Sequence, residues 1–301
     1  MDGETKGGGD LEIGPLAAFG GFDESIESAI AVGVDSGATL VKLCVQDREG
    51  ALHLATWPTP SIRRILDLIT RLAPDRIGIT GCGAASILER LDREACHPVE
   101  FDAWGRGANE ILEVAGLASK DPYLLISIGT GTSALRVEGD QVERVGGTAL
   151  GGGTALGLGL ALTGCRSHDE LVALASRGDR GTVDLLVGDI YEKVDIPIAA
   201  EATAASFGKL ARSLGSNEPI AAKSEDLAAA VMGLVAENIA LLSNAAASIA
   251  GVSRIVYGGS TLYQNPTIVE TVRLLTSVMG FEAIILPRSG HAGALGAMRL
   301  A

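Results

Sequence analysis

Two short stretches place hydroxyls, glycine and charge where strands turn: Asp35-Ser36-Gly37-Ala38-Thr39 and Gly129-Thr130-Gly131-Thr132-Ser133. Each interrupts an apolar run that resumes on the far side, and the two lie about ninety residues apart. Turns of this kind aim backbone N–H groups together at an anion, and glycine keeps side chains out of the way. In the first, Thr39 offers a hydroxyl, Lys42 sits one strand turn further on, and Asp35 at the strand end suits Mg²⁺ held through water. Taken alone, it reads first as an ordinary β-turn. The second turn has two glycines and three hydroxyls in five residues, enough to wrap a β- or γ-phosphate from the opposite side or to make an irregular hairpin. A third candidate, Gly151-Gly152-Gly153, runs into a helix predicted from Thr154, and N–H groups at a helix N-terminus attract phosphate. A duplicated pair of turns plus a helix start favours a nucleotide cleft. No Gly-Lys-Ser/Thr follows the glycines, so this is no Walker loop, and no G-x-G-x-x-G opens the first helix of a βαβ unit.

Such a cleft also needs an acid or base. In "PVEFD", period-two alternation predicts a strand with Glu100 and Asp102 on one face. Their mutual repulsion would raise one pKa, as a general base acting on an alcohol requires. A solvated strand end is the plainer alternative. Arg144, just before Gly146-Gly147, is placed either to hold a substrate carboxylate bidentately or to pair with Glu143 at the surface. Gly258-Gly259 at a strand end would let a ring lie flat against backbone, with Ser260 bonding a base or ribose; a simple strand-to-helix turn is the alternative. His53, His97, His168 and His291 show no mutual arrangement.

The elements that must position these residues follow from periodicity. Strands are predicted at 30–35, 39–47 and 51–57, then a helix at 61–73, a strand at 76–80, a helix at 84–92, a strand at 97–102 and a helix at 106–118. The second half starts the same way, with strands at 123–128, 132–138 and 141–147. Helices follow at 154–163, 168–176 and 225–249, then a strand at 253–259, a helix at 266–279, a strand at 282–287 and a last helix from His291. This describes a duplicated α/β architecture: a mobile leader at 1–28, an N-terminal half at 29–121 and a C-terminal half at 122–301, with a cleft between the halves. Residues 212–226 are expected to form an exposed connection.

Composition agrees with a soluble globular protein, since 47% apolar content in 301 residues supplies a sizeable core. Glycine, at 40 residues, is about twice the roughly 7% of average usage. A net charge of −13 with no basic stripe argues against nucleic-acid binding, and scarce aromatics argue against a base-stacking platform. Cys44, Cys82, Cys96 and Cys165 are too scattered for a metal site or disulfide framework and read as reduced, cytosolic thiols. The leader lacks a secretory signal. The uncharged run Val145 to Cys165 has the length of a membrane span, but eight of its 21 residues are glycine. Its front half is therefore loop, and no membrane span is expected.

Together these motifs resemble the type II pantothenate kinases, members of the actin-like, sugar-kinase-like ATPase superfamily, from about Ala31 to Ala297. The likeness rests on "VGVDSGATLVKL", "ITGCGAA", "VEFDA", "IGTGTS", "RVGGTALGGGTALGLG", "DRGTVDLLVGDIY", "ATAASFGKL", "IVYGGSTL" and "HAGALGAM". It implies a duplicated actin-like, ribonuclease H-like fold with two subdomains flanking a nucleotide cleft. It further implies ATP-dependent phosphorylation of pantothenate, the first step of coenzyme A synthesis. By that likeness Asp35, Ser36, Gly37, Ala38, Thr39, Leu40, Val41 and Lys42 contact the ATP phosphates and Mg²⁺. Thr130, Gly152, Gly153, Thr154, Ala155 and Leu156 close over the nucleotide, with His168 and Ser260 near it. Glu100 is the implied general base and Arg144 holds the pantothenate end. The likeness also implies a cytosolic homodimer, with residues 202–210 lining the site near the dimer contact. The family's usual D-x-G-G-T is D-S-G-A-T here, and Cys82 stands where glycine is usual. The alternatives on the same sequence are a kinase of another small alcohol such as an amino sugar, an ATPase activator of a partner enzyme, and a nucleotide-binding regulator without catalysis.

Overall fold

The computed structural model describes residue 22 and residues 25–191, 199–213 and 222–301. Its first half runs β1 (Ala29–Ser36), β2 (Leu40–Asp47), β3 (Leu52–Pro58), α1 (Ile62–Leu72), β4 (Arg76–Thr80), α2 (Ala84–Leu88) and α3 (Glu100–Val114). The second half opens with β5 (Tyr123–Ile128), β6 (Thr132–Glu138), β7 (Gln141–Thr148), α4 (Gly152–Thr163) and α5 (His168–Ala175). A short hairpin of β8 (Leu185–Leu186) and β9 (Thr203–Ala205) and then α6 (Gly208–Ser213) follow. The chain continues through α7 (Ser224–Ala250), β10 (Arg254–Gly258), α8 (Pro266–Val278), β11 (Glu282–Ile285) and α9 (Ala292–Leu300).

The duplication is visible in the strand orders, β3-β2-β1-β4 in one sheet and β7-β6-β5-β10-β11 in the other. In each, three antiparallel strands are extended by parallel pairing, of β4 on β1 and of β10 on β5. In the first sheet a single parallel bridge, Gly78 to Cys96, stands where β11 stands in the second. The central strands β1 and β5 are apolar on both faces because both faces are covered, and Val32, Val34, Leu124 and Leu125 are fully buried.

The strand expected at 97–102 is absent: residues 97–99, just after the bridge, are irregular and α3 begins at Glu100. Four alternating residues fit a strand, but Trp104, Ala108, Ile111 and Leu112 bury one stripe at helical spacing, and that pattern extends back to Ala103. Acids in the first turn, Glu100 and Asp102, suit a helix start electrostatically. Two residues apart on a helix, they do not share a face.

The expected second half, 122–301, ends in a helix that reaches the first half. Helix α9 crosses back to pack on β1, β4 and α3, and its Ala292, Ala294, Leu295 and Met298 share a core with Ala31, Trp104 and Leu125. Glycines permit backbone contact there: a Cβ on Gly296 would lie 1.7 Å from the Ala103 carbonyl oxygen. Gly296→Ala is expected to cost about 3 kcal/mol by overpacking, read as a lower melting temperature; an unchanged melt would contradict this contact. Arg299 closes the same junction with two-pronged bonds to Glu110.

Most of the expected leader, residues 1–21, 23 and 24, lies outside the described residues, as do 214–221 of the expected connection. At the leader's end, Phe22 and Ile26 are buried in the core beneath the first sheet, and Arg71 lies over the Phe22 ring at 5.9 Å. Val145 to Cys165 is divided between β7, a turn and the 12-residue α4. Among the described residues α7 alone is long and apolar enough to cross a membrane, and 67% of its most apolar window is buried inside the fold.

Candidate active site

The β1–β2 hairpin pairs Asp35 opposite Lys42, so the local strand register makes the ion pair: Lys42 Nζ lies 3.4 Å from Asp35 Oδ2. Both are buried, as is Ser36. Gly37 closes the turn by donating its N–H to the Leu40 carbonyl at 3.0 Å. Ala38 is exposed and is not among the residues with positive φ, so the departure from D-x-G-G-T leaves the turn unstrained. Val41, by contrast, turns its side chain into the core under the sheet, leaving only its backbone to the turn.

The second turn joins β5 to β6. Its carbonyls are tied down from behind: the N–H of Gly152 donates to Gly129 at 2.8 Å, that of Gly153 to Thr130 at 3.0 Å, and the Thr261 hydroxyl to Gly129 at 3.0 Å. A Cβ on Gly151 would lie 2.6 Å from the Thr130 carbonyl oxygen, so this approach requires glycine. This corrects the expectation that Gly152 and Gly153 present free N–H groups to phosphate. They brace the turn instead. Thr154 bonds the Ala149 carbonyl through its hydroxyl, Ala155 is buried in the core, and Leu156 is half-buried.

The turns face each other. Thr39 Oγ1 and Thr130 Oγ1 are 2.9 Å apart across the gap between the two sheets. Asp35 lies at the same place against the start of α9, where a Cβ on Gly293 would stand 2.8 Å from its Oδ2 and 3.0 Å from Trp104 Nε1.

Glu100 opens to solvent on one side at the N-terminus of α3. Burial on its other side, and then the negative charge of Asp35, raise its carboxyl above the usual range, while Lys42 pulls it down. The charge that matters is therefore Asp35, not the expected Asp102, because a helix turns Asp102 away. Arg144 on β7 sits over the ring of Phe101, the residue after Glu100, at 5.9 Å. Among the described residues it has no carboxylate partner; Glu143 instead stands opposite Arg136 in the sheet register. A Cβ on Gly147 would lie 2.8 Å from Arg144 Nη2, so Gly147 makes room for the guanidinium.

His168 opens α5, capped by Ser167, and burial holds its pKa below the usual histidine value. Its Nε2 is buried without a partner among the described residues, and the backbone of Thr261 bonds the ring. Thr261 adjoins the half-buried Ser260, so Ser260, His168 and the second turn gather at one end of the gap. Residues not picked out from sequence are Thr261, Phe101, Trp104 and Thr59. Of these only Thr261 carries a signal, a second hydroxyl in "GGST". In residues 202–210, Thr203 joins a lock in which Arg180 bonds Asp184 at 2.7 Å, Glu237 at 3.0 Å and Thr203 at 2.8 Å.

The Fumble family model matches residues 108–300. A type II pantothenate kinase of Staphylococcus haemolyticus is 35% identical over 269 residues, 89% of this chain and 99% of that protein. One from Oceanobacillus iheyensis is 35% identical over 268 residues, 89% of this chain and 98% of that protein. Among solved structures, the activator of the 2-hydroxyisocaproyl-CoA dehydratase from Clostridium difficile, with bound ADPNP, superposes with a TM-score of 0.57 at 19% identity, over 90% of this chain and 93% of its own. A ROK family glucokinase from Streptomyces griseus, in complex with glucose and AMPPNP, gives 0.53 at 16% identity, over 90% of this chain and 98% of its own. These structural likenesses establish the fold as the duplicated actin-like one.

Proposed function

The chain belongs to the type II pantothenate kinases, and on that premise we propose that its cleft joins ATP and pantothenate between the two facing turns. The enzyme phosphorylates pantothenate to 4'-phosphopantothenate at the expense of ATP, the first step of coenzyme A synthesis. The observation that carries the site assignment is the Thr39–Thr130 contact beside the buried Asp35–Lys42 pair.

In-line phosphoryl transfer asks the protein mainly for positioning and charge stabilisation. The turns at Asp35–Thr39 and Gly129–Thr132 hold the phosphates, and Lys42 offsets their charge. Glu100, whose carboxyl is held above the usual range by burial and Asp35 and is thereby a stronger base, accepts the proton of the pantothenate hydroxyl. Arg144, seated on Phe101 and without a carboxylate partner among the described residues, holds the substrate carboxylate. His168 and Ser260 lie toward the adenosine.

Asp35 fits Mg²⁺, which takes one or two protein carboxylates and keeps several waters. Bound there, the ion would neutralise phosphate charge. The halves at 29–121 and from 122 onward, with α9 returned to the first, close on the nucleotide by hinge motion. A homodimer is supported by apolar side chains exposed on α7 and α8, among them Ile249 at 88% and Val278 at 72% exposure. Four free thiols support a reducing, cytoplasmic setting.

A coupled ADP-release assay over pantothenate, amino sugars and other small alcohols tests the substrate. Release that depends on pantothenate is expected; release with an amino sugar alone would overturn it. In the same assay Arg144→Met should raise the KM for pantothenate roughly 10- to 100-fold, the worth of a hydrogen bond to a charged group, with the KM for ATP unchanged. Equal changes in both constants would remove Arg144 from the substrate site.

A further inference from the structure

We propose that Thr59 is a positioning residue that sets the geometry of the first phosphate turn, an inference resting on the assignment of that turn to ATP phosphates. β3 ends at Pro58, and the next residue reaches back to the turn twice. The N–H of Thr59 donates to the Thr39 carbonyl at 2.9 Å, and its hydroxyl donates to the Gly37 carbonyl at 3.0 Å.

Those two carbonyls flank Ala38, the exposed tip of the turn. A trans peptide is planar, with its C=O and N–H pointing in opposite directions. Holding the Gly37 carbonyl toward Thr59 therefore turns the N–H of Ala38 away from Thr59. Among the described residues the N–H groups of Ala38 and Thr39 donate to no carbonyl, whereas that of Gly37 is taken by Leu40. The turn thus keeps two donors free at its tip, and Thr59 fixes the peptide that carries one of them. The second turn is braced from behind in the same sense by Gly152, Gly153 and Thr261. With alanine at position 38, this outside brace takes the place of any special conformation at the tip.

Thr59→Val removes the hydroxyl and keeps the shape, and Thr59→Ser keeps the hydroxyl. Titration calorimetry with ATP should show Thr59→Val weakened roughly threefold to tenfold, the net worth of one hydrogen bond, and Thr59→Ser equal to wild type. The KM for pantothenate should stay at its wild-type value in both. ATP affinity of Thr59→Val within about twofold of wild type, joint loss of ATP affinity and pantothenate KM, or failure of Thr59→Ser to match wild type would each overturn the assignment. Calorimetry needs no turnover, so a protein that binds ATP without phosphorylating pantothenate would defeat the activity and leave Thr59 to be judged on binding.

Discussion

Glu100→Gln should lower kcat by about 10²- to 10⁴-fold, the usual contribution of a general base, while ATP binds as before. The amide has the carboxylate's shape but cannot take a proton. Its stability cost is small, because an acid in the exposed first turn of a helix contributes only about 0.3–1 kcal/mol. Loss of rate without loss of fold is therefore the expected signature. In the wild type, the base must be ionised, so kcat/KM rises with pH through the Glu100 pKa, which burial and Asp35 push above the ordinary carboxylate range. That acidic limb should vanish in Glu100→Gln. A variant within about tenfold of the wild-type rate would remove Glu100 from the chemistry.

Asp35→Asn is expected to be the more damaging change to the molecule as a whole. Asp35 is 2% exposed and Lys42 8%, so losing the carboxylate leaves a buried ammonium without its counter-charge. Breaking such a pair costs on the order of 3–5 kcal/mol, which a melting curve would register. Turnover should fall with it, because the proposed Mg²⁺ ligand is lost and metal stabilisation of phosphate charge is worth several kcal/mol. The residual activity carries a sharper sign. Asp35 raises the Glu100 pKa and Lys42 lowers it; with the negative charge gone, Glu100 ionises more readily. The acidic limb of the remaining rate should move to lower pH. A limb that moved to higher pH would show that the two carboxyls do not interact as their positions require.

What was legible in the sequence was what depends on short range. The strands around Asp35 and Gly129 announce themselves by apolar runs broken with glycine and threonine, and the duplicated strand–turn–strand pattern anticipates the two matching sheets. Glu100 shows the limit: four residues of alternation suggest a strand, and only the longer stripe from Ala103 to Leu112 decides for a helix. Its electrostatic partner was obscured for the same reason, since Asp35 comes near through α9, which packs on both α3 and β1. The return of α9 has a sequence trace in its glycines, but a glycine does not name the backbone it approaches; Gly296 meets Ala103, far along the chain. Gly152 and Gly153 fitted a phosphate-binding helix start, yet their N–H groups are spent on the turn beside them. Thr59 had no signal at all, because its role lies in two carbonyls of another loop.

A crystal structure with a non-hydrolysable ATP analogue and Mg²⁺ would be decisive. The terminal phosphate should lie within hydrogen-bond reach of both Thr39 Oγ1 and Thr130 Oγ1, replacing the 2.9 Å contact they now share, with Glu100 and Arg144 facing the transferred group. A triphosphate seated on one turn only, or outside the gap between the sheets, would contradict it.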